Sequence, residues 1–493
     1  MKIKLMITAL LFVGITTNIF TQKIDFSSYL ASGGRVHTST PSVVDKNGNI
    51  FVAGGTRDGL KVTNDAFQKI YNGHTKDDVA GGDAFLMKLS PNGEMIYSTY
   101  IGGSGSEFYC LQITLDDFGN VYVGFTTDSP DLPVSNNAYH KTKKGDNDHY
   151  IIKFSNDCNY IASTYFGGSG SDHWTRLAFH DNTLYLFGKT KSLDFPTTPK
   201  AIQKEYDNSA PPDSNNRYLV GDITITALSL SLDKVLYSTY LGGKSLDYIR
   251  SCSFDLNGKI ILVGATHSDN YPVTKDAYQK SMSGKQDGFF TIINNNLSKI
   301  YYSTFIGGDS TDQVNSIIVE DANNISLTGQ TKSPNFPVTL DALNGKYFGG
   351  NSDGFIMKFN LESNKPLYSS FIGGSKTDWL NYVAKTDKQK YLLVGSTVSK
   401  DFPVTKDALY PSIDGGMDWV ILLLDKTMKN IEYSSYGGGS KQRIMDPTVN
   451  YVKGSKLVIS SMCISPDFPV TLKYVEPDST WTNCIWKLDL NTN

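Results

Sequence analysis

The chain has 493 residues, with 46 Lys and Arg against 49 Asp and Glu and a formal net charge of -3. It lacks the cationic excess that neutralises phosphate backbones, so nucleic acid is excluded as the expected partner. A length that ordinarily means about three domains reads differently once repeats are sought, because a closed ring absorbs many small units into one fold.

Residues 1–22, MKIKLMITALLFVGITTNIFTQ, open with Lys2 and Lys4, run through an apolar stretch from Leu5 to Ile15 and end in small polar residues. This is the layout of a signal peptide. The stretch is shorter than the roughly 20 apolar residues of a spanning helix, and no Cys stands near Thr21 to Lys23 to carry a lipid anchor. The expectation is an exported chain whose residues 23–493 form one domain, located in the periplasm, with release to the exterior or cell surface as the alternative. The five cysteines, Cys110, Cys158, Cys252, Cys463 and Cys484, show neither CxxC nor zinc-ligand spacing. They read as buried thiols, with Cys463 and Cys484 the pair to test for a bridge.

Seven segments share one phrase: FSSYL, YSTYIGG, ASTYFGG, YSTYLGG, YSTFIGG, YSSFIGG and YSSYGGG. Its second aromatic falls at Tyr29, Tyr100, Tyr165, Tyr240, Phe305, Phe371 and Tyr436, at intervals of 71, 65, 75, 65, 66 and 65 residues. That spacing holds four short strands, their turns and one longer connection, which is a propeller blade. Within a unit, strands are expected at Asp83 to Leu89, Met95 to Ile101, Leu111 to Leu115 and from Val121, separated by Asn-Gly, Gly-Gly or Asp-x-x-Gly turns. Several are apolar at both odd and even positions, as blades stacked on both faces require. The Gly pair after the phrase, Gly102-Gly103 and its equivalents, reads as a turn that uses positive φ and close backbone approach. Leu132-Pro-Val, Phe195-Pro-Thr and four similar tripeptides follow the fourth strand, where Pro stops the ladder and the aromatic plugs the gap between blades.

Each chain end lacks what the other owns. Asp148, Asp287, Asp353 and Asp418 follow their anchors by 47 or 48 residues, and Asn483 follows Tyr436 by 47, so residues 484–490 are expected as the missing strand of the first unit. The predicted fold is an all-β, seven-bladed propeller of four-stranded antiparallel blades, closed by combining this C-terminal strand with three strands from residues 24–56. With YSTYxGG, a following acid, DxxGNxYVxGxT, FPVT and DAY in one unit, the chain closely resembles the SBBP-type β-propeller repeat family over residues 24–490. The resemblance implies the fold and says little of function.

Glu107, Asp172, Asp247, Asp312 and Asp378 stand seven residues after their anchors, a candidate carboxylate ring for Ca2+. The competing reading has each acid capping a turn, a task that a repeat copies into every unit. Asp83, Asp148, Asp222, Asp287, Asp353 and Asp418 form a second repeated set, also read as structural. No HExxH, zinc spacing or Gly-x-Ser-x-Gly elbow occurs, so neither catalytic residues nor a resident cofactor are expected and the chain reads as a non-enzyme. Trp174 and Trp379 follow the acid ring, near the positions of Tyr248 and Gln313, either in the core or at the mouth of the channel.

Two insertions break the repeat, at residues 72–82 and 204–218, both before the strand opened by the second acid set. Function in repeat proteins sits on such differences, which singles out His74, Lys76, Asp77, Asp78, Tyr206, Pro211, Pro212, Arg217 and Tyr218 for docking to a protein partner. The expectation is a monomeric interaction module for an envelope or outer-membrane complex, without direct membrane insertion. A periplasmic propeller of this size also resembles, loosely, the plug-type subunit that seals an outer-membrane type IX translocon. A carbohydrate-binding or hydrolytic propeller using the channel mouth is the alternative.

Overall fold

The structure is a computed structural model and describes residues 23–34, 40–73, 82–207, 221–413, 416–439, 445–452, 456–465, 467–476 and 481–490. The expected signal peptide lies outside these. Seven antiparallel sheets form one seven-bladed propeller, and no helix occurs among the described residues. The second blade is representative, with Glu107–Leu115 innermost, then Val121–Thr127, Asp148–Phe154 and Tyr160–Phe166. The strands expected at Asp83 and Met95 span Asp83–Leu89 and Met95–Ile101.

The apolar runs are explained by stacking. Ile50–Thr56, Asp83–Leu89 and Val121–Thr127 are buried at every position, because middle strands meet a neighbouring blade on each face. Outer strands begin partly exposed and end buried, as in Met95–Ile101 and Tyr160–Phe166. The aromatic phrase is both packing and anchor. The Tyr240 hydroxyl accepts from Phe195 N at 3.0 Å and donates to Ser192 O at 2.7 Å, pinning the Phe-Pro segment. Phe195 in turn lies 5.3 Å from Phe166 of the second blade and 5.9 Å from Tyr240 of the third, filling the gap between blades.

The ring closes differently from the expected division. The seam blade takes three strands from the C-terminal part, Met445–Val452, Lys456–Cys463 and Trp481–Asp489, and one from the N-terminus, Lys23–Gly34. Trp481–Asp489 pairs with Lys456–Cys463 on one side and Lys23–Gly34 on the other, and the short Leu472–Lys473 joins Lys23–Gly34 in parallel. The reason is phase. The aromatic phrase is the outermost strand of one blade and the acid after it opens the innermost strand of the next, so a unit counted from the phrase straddles two blades.

The Gly pairs therefore cross between blades, and the expectation of positive φ is not met there. Close approach is their use: a Cβ at Gly242 would lie 2.8 Å from Asp247 Oδ2 and 2.9 Å from Asp222 Cγ. Cys158, Cys252, Cys463 and Cys484 are free thiols. Cys463 stands opposite Thr482 and Cys484 opposite Ser461, which makes the pair diagonal neighbours without a bridge.

Trp486 carries the seam. It is 1% exposed, stacks on Phe468 at 4.9 Å and meets Trp419 of the sixth blade edge-on at 4.9 Å. Trp486→Ala is expected to lower unfolding free energy by about 3–5 kcal/mol, against less than about 0.5 kcal/mol for Phe118→Ala on an exposed turn. Urea unfolding followed by circular dichroism measures both, and equal losses would refute the assignment.

Candidate functional site

Strands alternate in direction, so the two ends of the propeller differ. Among the described residues, one end carries tight hairpin turns closed by side chains, as where Asp116 Oδ1 accepts from Phe118 N at 3.0 Å and Asn120 N at 2.9 Å. Asp45 accepts from Asn47 N and Asn49 N in the same way. The other end carries the described crossovers between blades and the described long connections after second strands, and the strands that flank both insertions meet at it.

At this second end the five acids of the expected ring open the inner strands, each fully buried within its own junction. Glu107 accepts from Gly103 N, Thr127 Oγ1 and Ser129 Oγ. Asp172 repeats this with Gly168 N, Thr190 Oγ1 and Ser192 Oγ, and Asp378 with Gly374 N, Thr397 Oγ1 and Ser399 Oγ. Asp247 and Asp312 accept from Gly243 and Gly308 N–H and from Ser268 and Ser333. The second set faces them across the Gly pair and gathers the incoming connection, as Asp148 does with Lys144 N and Gly145 N at 2.9 Å. Among the described residues, no three carboxylate, histidine or cysteine side chains gather as ligands for a metal ion.

Burial raises these carboxyls. Desolvation, partly offset by the hydroxyl and N–H donors, lifts Glu107 to about 8, Asp172 and Asp247 to about 7 and Asp312 and Asp378 to about 6. In the second set desolvation lifts Asp222 to about 8, with Asp247 adding to it, Asp353 to about 7 and Asp83 to about 6.

The channel mouth holds what the repeat does not copy. Four of the inner strands contain a bulge near this end, between His173 and Arg176, Ile249 and Ser251, Val314 and Ser316, and Leu380 and Tyr382. A bulge re-aims side chains and is common beside sites. The residues within are unlike: Trp174 and Thr175, Arg250, Asn315 and Asn381. Trp174 has φ of 62°, a left-handed conformation that is an outlier for a bulky side chain. Its ring meets Tyr248 edge-on at 5.1 Å, and Lys189 Nζ lies 4.6 Å from its centroid. Arg176 Nε donates to Ile249 O at 3.2 Å, and Tyr248 Oη donates to Gln313 Oε1 at 2.5 Å. Gln313 continues to Asn315, whose Nδ2 donates to Leu380 O at 2.9 Å. Trp174, Arg176, Phe187, Gly188, Tyr248 and Ile249 line a tight cleft between the third and fourth blades that leaves no room for a water molecule.

Of the residues singled out for docking, Tyr206 is half-buried and packs at 6.3 Å against Tyr240. His74, Lys76, Asp77, Asp78, Pro211, Pro212, Arg217 and Tyr218 lie outside the described residues. Trp174 and Trp379 are both half-buried on inner strands. The sequence reading passed over Arg176, Lys189 and Arg250. No short motif marks them: Arg176 stands on Asp172–His180, Arg250 on Asp247–Phe254 and Lys189 on the adjoining Thr183–Thr190.

The architecture thus defines a seven-bladed β-propeller. Residues 96–133 match the family model of the SBBP β-propeller repeat, so the chain carries that repeat in the fold its spacing implies. No curated protein matches it. Among solved structures, a protein of unknown function from Dyadobacter fermentans is 11% identical, over 95% of this chain and 99% of that one, with a TM-score of 0.43. An ulvan lyase is 10% identical over 88% and 92%, with a TM-score of 0.46. An α-L-arabinofuranosidase from Fusarium graminearum is 11% identical over 78% and 93%, with a TM-score of 0.40. At such identities the likeness speaks of the fold alone. The reading of the chain as a non-enzyme is nevertheless corrected, because enzymes stand among these structures. The physical reason is that a propeller gathers polar groups from different blades, tens of residues apart, where no short motif records them.

The raised carboxyls set the pH dependence of stability. A carboxyl whose pKa is higher folded than unfolded holds its proton more tightly in the folded chain. Its contribution is complete below the unfolded value of about 4 and is lost as pH rises through the folded value. The thermal midpoint is therefore expected to fall between pH 5 and pH 9, with Glu107 and Asp222 acting last. Glu107→Gln, neutral throughout and able to place its oxygen on Gly103 N–H, is expected to flatten that fall. Scanning calorimetry across the range checks this, and a rising midpoint would contradict it.

Proposed function

We propose that the chain is a protein-interaction module of the bacterial cell envelope, docking on an envelope or outer-membrane complex through the end of the propeller that bears its long connections. The observation carrying this reading is the asymmetry of the two ends. Among the described residues, one is finished by tight turns whose polar groups are used locally, whereas the other carries the crossovers, the strand ends that flank both insertions and the unlike residues of the channel mouth. Loops of unequal length on a rigid scaffold are how repeat folds vary their contacts. A disk of this kind suits covering an opening, and sealing a protein-secretion channel from the periplasmic side is the role proposed. The leader-like residues 1–22 support that location.

The test is affinity purification of the tagged protein from its own envelope, repeated with residues 72–82 and 204–218 shortened. A stoichiometric membrane protein is expected with the intact chain and at least about tenfold less with the shortened one, a loss of roughly 1.4 kcal/mol in affinity. Undiminished recovery after shortening would move docking to another surface, and a chain recovered alone would refute the module reading.

A further inference from the structure

We propose that Ser171 and His173, where the second blade crosses to the third, are the nucleophile and the base of a site that hydrolyses small activated esters. The inference is independent of docking to a protein.

The two residues flank the buried Asp172 and so fall on one side of an extended chain. Ser171 Oγ lies 2.7 Å from His173 Nε2, the separation of a nucleophile from its base. Asn147 Nδ2 donates to the same Oγ at 3.1 Å. Among the described residues, His173 Nε2 is the one acceptor within reach of the hydroxyl, so its hydrogen points to Nε2 and the imidazole carries its own proton on Nδ1. That is the tautomer a serine nucleophile requires. Burial, with the charges of Lys189 and Lys191 adding to it, holds His173 down to about 4, which leaves Nε2 unprotonated at neutral pH.

The backbone around Ser171 is pinned while its own N–H is left over. Asp172 N donates to Asn147 O at 2.8 Å and Lys191 N to Ser171 O at 3.0 Å. In the second blade the equivalent N–H, that of Ser106, is taken by Asp128 Oδ1 at 2.6 Å. The third blade has Lys191 at the register of Asp128, and an ammonium group cannot accept. Ser171 N–H makes no hydrogen bond among the described residues, and the N–H of a nucleophile is a proven oxyanion donor. Both side chains are half-buried, which leaves them open from the crossover end.

The repeat does not call for this pair. At the register of Ser171 the other acid-opened blades carry Ser106, Leu246, Thr311 and Thr377, and at that of His173 they carry Phe108, Tyr248, Gln313 and Trp379. Of these five blades, the third alone joins a hydroxyl to an imidazole. In the reaction Ser171 Oγ attacks the ester carbonyl carbon while His173 Nε2 takes the hydroxyl proton, and the carbonyl oxygen's developing charge falls to Ser171 N–H. The bond to the alkoxy oxygen then breaks, the leaving group departs with the proton from Nε2, and the acyl group stays on Oγ. A water deprotonated by the same Nε2 releases the acid and restores Ser171. One N–H donor and a weakly basic imidazole suit an ester with a good leaving group and not an amide.

The test treats the full chain with a fluorophosphonate, mapping the adduct by peptide mass spectrometry, and follows nitrophenolate release from para-nitrophenyl acetate. An adduct on Ser171 is expected, absent from Ser171→Ala. His173→Gln, which copies Gln313 of the fifth blade and so suits the fold, is expected to slow release about a hundredfold. Ser169→Ala, on the exposed turn before the site, is expected to react as the parent does. Thermal midpoints verify that each variant is folded. The proposal fails if no adduct forms, if the adduct sits on another serine, or if folded His173→Gln releases nitrophenolate as fast as the parent.

Discussion

The structure depends on one strand exchange: Trp481–Asp489 lies between Lys456–Cys463 and Lys23–Gly34, so the two ends of the chain share a sheet. Six blades can form from contiguous segments, but without the seventh an open arc would expose the faces of its terminal blades. Bringing residues so distant in sequence together costs loop-closure entropy, although that cost grows only slowly with length. The seam answers it with bulk, since Trp419, Trp486 and Tyr29 are among the largest fully buried side chains and Phe468 touches all three. It also answers with chemistry. Where six blades place an Asp, the seam has Asn483, whose Nδ2 donates to Ala31 O and Gly55 O while its Oδ1 accepts from Thr40. A carboxylate accepts only, so an amide alone can hold the carbonyls of the N-terminal segment from this position.

Much of the fold was legible because blades are local and repeated. The phrase around Tyr100, the hairpin at Asp116 and the Phe-Pro segment each stabilise a neighbour within some forty residues, and interactions of that range leave a period in the sequence. The partition of the seam was not legible for a related reason. A period has no origin, so a unit counted from its most recognisable phrase is displaced by one strand from the physical blade. The Gly pairs illustrate the same limit. Glycine allows both positive φ and close approach, and only the position of Asp222 and Asp247 around Gly242 distinguishes them.

The candidate site was less legible because its members come from different inner strands. Trp174 and Tyr248 were noticed as aromatics after the repeated acids, but nothing local records that they meet, or that Lys189 from the adjoining strand lies over the indole. Short motifs register chemistry whose groups share one turn or helix. A ring of blades assembles its mouth from residues about 65 positions apart, and the only trace of that assembly is a column of unlike residues at a constant phase.

Repetition and function separate on this basis. The acids of the two sets recur because each junction needs acceptors for its crossover and its incoming connection: the first set takes a Gly N–H five times over, and the second takes backbone N–H groups of the connection. Two or three residues along the same inner strands, the bulges persist while their residues change from Trp174 and Thr175 to Arg250, Asn315 and Asn381. Conserving the backbone irregularity while varying the side chain separates scaffold from specificity within a single strand, with the buried acid belonging to the first and the bulged residue to the second.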